Sequence, residues 1–329
     1  MRVLNLATSQ DAEFFQLQVR ALERQGIEGT TLGVPGDQEP TDDGMTSRSV
    51  ADYLRFHTRV LRRSLDAYDV VHANYGLTAP AALSQPTRPV VLSLWGSDLL
   101  GEFGWLSRRC ARRADAVIVM SAEMADVLDA DCHVIPHGVD LKQFRPFPRR
   151  TACETVGWDH DVGNVLFPYP EQSPVKNYPR AERVVDAVRD RLDGDVELRT
   201  VYGVPHARMP VYMNAADALL VTSRREGSPN TVKEAMACNL PVVATDVGDV
   251  RERLDGVTPS HVRRTDGGLV DGLLDVLERG SQSNGRAVVR SLGLERMGRD
   301  IRAVYESALD ERSAPSVVRT VERNPGTED

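Results

Sequence analysis

The chain predicts an α/β protein made of two doubly wound parallel-sheet domains in tandem. Three observations carry this. Short apolar, β-like runs alternate with helix-period segments along nearly the whole chain. The alternation breaks once, at a Pro/Arg-rich stretch, and then restarts. The length, 329 residues, suits about two domains of roughly 150 residues, each large enough to bury a core.

Residues 2–7 read as a strand. Phe14, Phe15, Val19 and Leu22 then recur at near-helical spacing, Gly26 ends that helix, and a second strand occupies 29–34. A polar Pro/Gly/Asp loop fills 35–46. Helix 49–67, a buried strand at 69–72, a brief helix at 79–83 and strand 89–94 follow. Helix 105–113, strand 116–119, helix 122–128 and strand 133–135 complete the first half. The stretch 144–150, Phe-Arg-Pro-Phe-Pro-Arg-Arg, reads as an interdomain linker and hinge. Beyond it come strand 164–167, helix 179–192, strand 196–201, helix 210–215, strand 218–221, helix 231–238, strand 241–244 and helix 250–254. Helix 268–279 precedes a long amphipathic segment, 294–309. The polar tail after Asp310 reads as disordered. The expected divisions are a first domain at 1–147, a second at 148–293, a final helix at 294–310 and a tail at 311–329. In open parallel sheets, ligands bind at the carboxyl ends of the strands, so two such domains facing each other make a cleft the expected active site.

Composition narrows the function. Net charge is −8, from 48 acidic and 40 basic side chains, which disfavours a bulk nucleic-acid binder. No apolar run approaches the ~18 residues of a membrane span, and the first residues enter a strand with no long apolar leader, so a cytoplasmic setting is expected. The only lysines are Lys142, Lys176 and Lys233; every other cationic side chain is Arg. An acidic, Lys-poor surface fits a salt-adapted cytoplasm and a GC-rich genome equally well. The four cysteines, at 110, 132, 153 and 238, form no CxxC and no zinc spacing, and read as reduced thiols. The G-x-G-x-x-G, P-loop, G-x-S-x-G and H-E-x-x-H patterns are all missing, which removes the main support for dinucleotide dehydrogenase, NTPase, serine hydrolase and zincin readings. Three Asp-x-Asp pairs (129/131, 159/161 and 193/195) read as solvated turns in an Asp-rich chain.

The most informative stretch is 217–250, DALLVTSRREGSPNTVKEAMACNLPVVATDVGDV. A strand runs into a loop at 222–228, and a helix starts near Pro229, where proline suits the first turn. The free N–H groups at that start, with the helix dipole, favour an anion. Gly227 and Ser228 allow close backbone approach. Glu226 lies in the loop and Glu234 about two turns further on. This suits a phosphorylated ligand bearing hydroxyls. From spacing alone, two solvated glutamates on a surface helix is the stronger reading.

The wider stretch reverses that preference. It resembles the donor-binding signature of the GT-B glycosyltransferases of family 4, a Glu-x7-Glu pattern within EG-x-P/S-x-x-x-x-EAMA-x-G-x-PVV. Glu226, Glu234, Ala235-Met236-Ala237 and Pro241-Val242-Val243 match, and Asn239 stands near the usual Gly. The resemblance implies two Rossmann-like domains and a retaining, metal-independent transfer from a UDP- or GDP-linked sugar to a glycan or lipid-linked acceptor. It implies that Glu226 contacts the transferred sugar and Glu234 the ribose, and that the backbone of Gly227, Ser228, Pro229, Asn230 and Thr231 lines the sugar and phosphates. Lys176 matches the family's diphosphate-binding Lys and is expected to be catalytic. The accompanying Arg has no match, because Pro170-Glu171-Gln172-Ser173 stands there; Arg180, Arg224 and Arg225 are the substitutes within reach.

The acceptor side diverges more. The segment 134–146, VIPHGVDLKQFRP, resembles the family's IPNGVD hinge segment with His137 at the usual Asn. Trp95-Gly96-Ser97-Asp98 resembles HG[ST]D, with Trp95 at the His, either stacking on a sugar or filling core, and Asp98 available to acceptor hydroxyls. Asp69-Val70-Val71-His72-Ala73-Asn74 resembles D-x-x-H-x-H. His137 reads as a structural histidine more readily than a titrating one. Arg108, Arg109, Arg112 and Arg113 share one helix; a solvated, salt-bridged face is preferred to contact with anionic headgroups at the inner membrane surface. The segment 294–309 resembles the family's terminal helix, which crosses back to the first domain, and 196–218 reads as contracted. A sugar-nucleotide epimerase and a non-catalytic sugar-nucleotide-binding subunit are the rival readings. No residue pattern bears on oligomeric state.

Overall fold

The computed structural model describes residues 1–36 and 48–313, with the backbone of 40–41 and 44–45. Residues 37–39, 42–43 and 46 of the loop expected at 35–46, and the tail beyond Ser313, lie outside the described residues.

The first sheet contains β1 (Arg2–Ala7), β2 (Glu28–Gly33), β3 (Val70–Asn74), β4 (Val90–Leu94), β5 (Ala116–Val119) and β6 (His133–Val134). Its order is β2-β1-β3-β4-β5-β6, parallel throughout. Every residue of β3 (VVHAN) and β4 (VVLSL) is buried, so these central strands are mainly apolar and show no alternation of buried and exposed positions. Around the sheet lie α1 (Glu13–Arg24), α2 (Val50–Arg63), α3 (Ala79–Ser84), the short α4 (Ser97–Leu100), α5 (Gly104–Ala111) and α6 (Ala122–Leu128). Two of these helices start at serine caps. Ser49 and Asp52 form a reciprocal capping box, and the Ser121 hydroxyl accepts the Met124 N–H.

The second sheet contains β7 (Gly163–Phe167), β8 (Val196–Thr200), β9 (Ala218–Val221), β10 (Val242–Thr245) and β11 (His261–Arg263), in the order β8-β7-β9-β10-β11, again all parallel. Its helices are α7 (Arg149–Val156), α8 (Tyr178–Arg189), α9 (Met209–Ala215), α10 (Asn230–Ala237), α11 (Val250–Arg253), α12 (Asp266–Arg279) and α13 (Gly285–Val289). Strand order reverses between β1 and β3 and between β7 and β9, and loops leaving these switch points form the walls of the cleft.

The last helix, α14 (Leu294–Ser313), returns to the first domain. Leu294, Met297, Ile301, Val304 and Tyr305 join the core of the first sheet. It lies close enough to α1 that a Cβ on Gly298 would stand 2.9 Å from the Ala21 carbonyl oxygen, so the close approach requires glycine. Tyr305 is fully buried, and its hydroxyl meets His72 Nδ1 at 2.6 Å.

The linker expected at 144–150 is corrected. Phe144 is fully buried in the core of the second sheet, and α7 begins at Arg149. The crossing is instead at residues 138–139, where Val139 bridges Gly293 and the chain passes twice through one point. The Val139 N–H donates to Leu292 O at 2.9 Å and the Leu294 N–H to Val139 O at 3.2 Å. All four cysteines are free thiols.

Candidate active site

The loops after β7 and β9 are tied together before any ligand arrives. The Thr222 hydroxyl donates to the carbonyl oxygens of Lys176 (2.9 Å) and Asn177 (3.1 Å), and the Arg224 N–H donates to Val175 O at 2.8 Å. This brings Lys176 Nζ to 2.6 Å from Glu226 Oε1, with the ammonium 4.2 Å from the centre of the Tyr169 ring. The Tyr169 hydroxyl in turn meets Thr231 Oγ1 at 2.5 Å, in the first turn of α10. Burial, followed by the nearby Glu226 carboxylate, pushes the Tyr169 phenol well above its ordinary value, so it stays a neutral hydrogen-bonding group. Pro229 occupies the N-cap position and the helix proper starts at Asn230, leaving the first-turn N–H groups unpaired within the helix.

The glycines of the loop after β9 and of the turn after β10 have steric reasons. A Cβ on Gly227 would stand 3.2 Å from both Trp95 O and Met124 Sδ of the first domain. Gly248 has φ +53°, and a Cβ there would fall 2.4 Å from Gly227 O. The Glu226–Gly227 loop is thus wedged between the Trp95–Gly96 turn and the turn after β10.

Lys176, Glu226, Gly227, Ser228, Pro229, Asn230, Thr231, Trp95 and His137 all face one cavity of about 360 Å³ between the domains, with Phe14 and Tyr75. Glu234 lies in an adjoining cavity of about 200 Å³ that shares Phe14, Asn230 and Thr231 with the first. There His206 Nε2 sits 2.8 Å from Glu234 Oε1, and Nδ1 is 3.9 Å from Glu13 Oε1 across the domain gap. Burial disfavours the His206 imidazolium, but the hydrogen bond and charge of Glu234, with Glu13 and Asp140, outweigh it and raise the pKa.

The structure does not bring His72 or Asp98 to the cleft. His72 is fully buried in β3, held between Tyr305 and Ser93 Oγ (2.7 Å), and burial drives its pKa down to about 3, so it is a neutral core residue. The Asp98 carboxylate is spent on backbone. Oδ1 accepts the Trp95 and Gly96 N–H groups and Oδ2 accepts Gly76, each at 2.9 Å. It shapes the turn that carries Trp95 and is closed to an acceptor hydroxyl. Trp95 packs edge-on against Phe14 at 4.7 Å, and neither its Nε1 nor His137 Nε2 has a hydrogen-bond partner among the described residues although both are buried. Burial, then the neighbouring Lys233, lowers the His137 pKa to about 3.

None of the three arginines considered as substitutes lines either cavity. Arg180 pairs with Asp266 at 2.7 Å, Arg225 reaches Leu100 O across the interface at 3.3 Å, and Arg224 is exposed. The cation that sequence reading missed is Lys233. It is 1% exposed, with Nζ donating to His137 O (2.9 Å) and Ser228 Oγ (3.2 Å) and a pKa lowered by burial to about 8. Among the described residues, the one cluster of three groups close enough for a metal is Asp159, His160 and Asp161, exposed and outside both cavities.

Two family models match the chain, "Glycosyltransferase Family 4" over residues 2–143 and "Glycosyl transferases group 1" over residues 177–279. A lipopolysaccharide core biosynthesis mannosyltransferase of Rhizobium meliloti is 30% identical over 243 residues, covering 63% of this chain and 69% of the relative. A D-inositol 3-phosphate glycosyltransferase of Catenulispora acidiphila is 26% identical, over 84% of this chain and 80% of the relative. Among solved structures, sucrose-phosphate synthase from Thermosynechococcus elongatus aligns with a TM-score of 0.73 at 18% identity, covering 94% of this chain and 100% of that one. The Anabaena protein HepE in complex with UDP aligns with a TM-score of 0.72 at 17% identity, covering 93% and 100%. These likenesses establish the GT-B fold.

Proposed function

Since the chain belongs to the family 4 glycosyltransferases, the group 1 glycosyl transferases, we propose that it moves a sugar from a nucleoside-diphosphate donor to an acceptor hydroxyl with retention of anomeric configuration. The observation that carries this reading is the convergence, in one interdomain cleft, of the Lys176–Glu226 pair, the N-terminus of α10 and Glu234. HepE, in complex with UDP and with UDP-glucose, supports a nucleotide-sugar donor.

In this reading the diphosphate lies between Lys176 and the free N–H groups of Asn230 and Thr231, where cation and helix dipole both favour negative charge. Glu226 accepts hydrogen bonds from the sugar hydroxyls and Glu234 from the ribose. The bond from the anomeric carbon to the phosphate oxygen breaks, and a bond to the acceptor oxygen forms on the same face. The acceptor proton passes to the departing diphosphate, so no protein base or nucleophile is required. Catalysis then comes from preorganised charge at the leaving group and the oxocarbenium-like sugar. Lys233 supplies a second cation behind Ser228 where the family's Arg is missing. In this reading Lys176, Lys233 and the N-terminus of α10 carry the diphosphate charge, and transfer is proposed to run without a metal.

Thermal melting with UDP, GDP and ADP, with and without magnesium, tests the donor site. A nucleotide at a hundred times its Kd stabilises by about 2.7 kcal/mol. A magnesium-independent shift with one nucleotide, lost in Glu234→Ala, is expected. No shift with any nucleotide would overturn the reading. Turnover with retention at the anomeric carbon, read by NMR of the product, separates transfer from epimerisation and from binding without catalysis.

A further inference from the structure

A chain of charged contacts crosses between the domains inside the smaller cavity, and the transfer chemistry makes no use of it. The loop after β8 ends at Pro205, whose carbonyl oxygen accepts the Arg208 N–H at 2.8 Å, and this single turn presents His206 to the cavity that holds Glu234. The residue is fixed on two sides. Its ring packs on buried Phe144 with centres 5.1 Å apart, and its carbonyl oxygen accepts Gln143 Nε2 at 3.3 Å. Nε2 lies 2.8 Å from Glu234 Oε1. Nδ1 stands 3.9 Å from Glu13 Oε1, at the start of α1 in the other domain, and 3.5 Å from Gln143 Nε2.

These contacts do two things to Glu234. First, they hold it. A glutamate side chain loses much rotamer freedom when a ligand fixes it, and prior fixing saves that loss at binding. Among the described residues His206 is the side-chain partner of Glu234, and the carboxylate keeps its remaining acceptor sites for the cavity. Second, they make the hold answer to the other domain. As an imidazolium, His206 carries N–H on both nitrogens; one donates to Glu234 and the other faces Glu13, which Arg20 Nη2 meets at 2.8 Å. As a neutral ring with its proton on Nε2, it still donates to Glu234. Nδ1 is then an acceptor, suits Gln143 Nε2 and offers nothing to Glu13. The charged groups around the ring are Glu234 and Lys233 from α10, Glu13 with Arg20 behind it from α1, and Asp140 from the segment after the crossing; Arg208, on the same turn as His206, is exposed. Burial disfavours the charge on the ring, yet Glu234, Glu13 and Asp140 outweigh it and raise the pKa.

We infer that His206 is a positioning residue for the ribose carboxylate: it holds Glu234 ready for the ribose hydroxyls and ties that hold to α1 through Glu13, so that the first domain finishes the nucleoside site. The inference rests on the proposed function for what Glu234 binds, and adds what orients it. A ring that only filled the gap beside Phe144 would need shape alone, not carboxylates at both nitrogens. The two cavities share Asn230 and Thr231, so a bound diphosphate places further negative charge beside His206 and favours its imidazolium. Nucleotide binding therefore takes up part of a proton. The resulting gain in affinity is fully present below the pKa of the free protein, itself above 6.5, and is lost as pH rises through the still higher value in the complex.

The test is calorimetric titration of the full chain with UDP, GDP and ADP and with their 2′-deoxy forms, over roughly pH 6 to 9 and in buffers of different ionisation enthalpy. Wild type is expected to prefer the ribonucleotide and to take up part of a proton on binding it. His206→Phe keeps a ring against Phe144 but loses the donor; it weakens the ribonucleotide by about tenfold or more and the deoxyribonucleotide less. His206→Gln, whose amide still donates to Glu234, recovers most of the affinity and none of the proton uptake. Glu13→Gln, at an exposed position of the first domain, keeps the ribose preference, reduces the uptake and moves the fall in affinity to lower pH. The nucleotide's phosphate and Lys233 are present in every case, so differences between variants isolate His206. Melting without nucleotide shows which variants fold, and His206→Gln and Glu13→Gln carry the test if His206→Phe does not. Equal loss of ribo- and deoxyribonucleotide in His206→Phe, or unchanged proton uptake in His206→Gln, overturns the inference. So does equal affinity of wild type for the two forms. Proton release that vanishes in His206→Gln also overturns it, since the ribose then displaces His206 from Glu234. Binding of no nucleotide to wild type is a different result and sinks the proposed function.

Discussion

Replacing Lys176 by alanine removes two interactions at once, and the structure separates them. The ammonium lies 2.6 Å from Glu226 and faces the cavity that also holds the first turn of α10. If the diphosphate leaves against Lys176, its loss removes one preorganised transition-state contact, worth about 10²–10³ in kcat, or roughly 2.7–4 kcal/mol. The same substitution leaves Glu226, 13% exposed, without its counter-charge. A charge about 4 Å from another interacts with it by about 4 kcal/mol at an effective dielectric of 20, so an unpaired Glu226 facing a diphosphate is itself a barrier of similar size. The double substitution Lys176→Ala/Glu226→Gln distinguishes these. Single-turnover donor consumption with acceptor present is the assay, with nucleotide melting shifts showing that the donor still binds. A leaving-group role predicts that the double variant stays as slow as Lys176→Ala or slower. Recovery to within about threefold of wild type would show that Lys176 only neutralises Glu226. Wild-type kcat in Lys176→Ala itself would falsify any catalytic role.

Three further outcomes follow from particular contacts. The folded pKa of His206 lies above its ordinary value of 6.5, so the contribution of the His206–Glu234–Glu13 contacts is fully present below about pH 6.5 and is lost as pH rises through the raised pKa. The melting-temperature gap between wild type and His206→Gln should therefore narrow on going alkaline, and a gap that widens contradicts the assignment. Gly248→Ala forces a Cβ to 2.4 Å from Gly227 O in a left-handed backbone, and is expected to cost about 1–3 kcal/mol and to weaken nucleotide binding in calorimetry. Tyr305→Phe leaves buried His72 Nδ1 without its partner at a cost of about 1–3 kcal/mol, measurable by urea unfolding, with nucleotide affinity unchanged.

The central strands of both sheets were legible to within about two residues because parallel, doubly covered strands are short apolar runs bounded by polar turns. What escaped was less apolar or less periodic. Helix α7 hides behind prolines that read as a linker, although Pro148 is its N-cap. Strand β11 is three residues of mixed polarity, and α13 is five residues long. Glu226, Glu234 and Lys176, which line the two adjoining cavities, stood out in the sequence because one continuous stretch and one loop carry them. Phe14, Tyr169, His206 and Lys233 gave no signal, since their roles arise only where separate loops meet. Asp98 and His72 matched a pattern of residue types, but hydrogen bonding turned both inward, and no spacing rule reports which way a carboxylate faces.

The double crossing at Val139 and Gly293 also governs how the protein is made. The first domain is finished by residues synthesised after the whole second domain, since Met297, Ile301, Val304 and Tyr305 complete its core. After Val139 emerges, about 150 more residues must be translated before α14 exists, and at 5–20 residues per second that is roughly 8–30 s. During this interval the second domain, contiguous between the two crossings, can fold on its own, while the α1 surface that will receive Gly298 stays open. A nascent or truncated chain ending near Gly293 should therefore depend on chaperones in a way that the full-length protein does not.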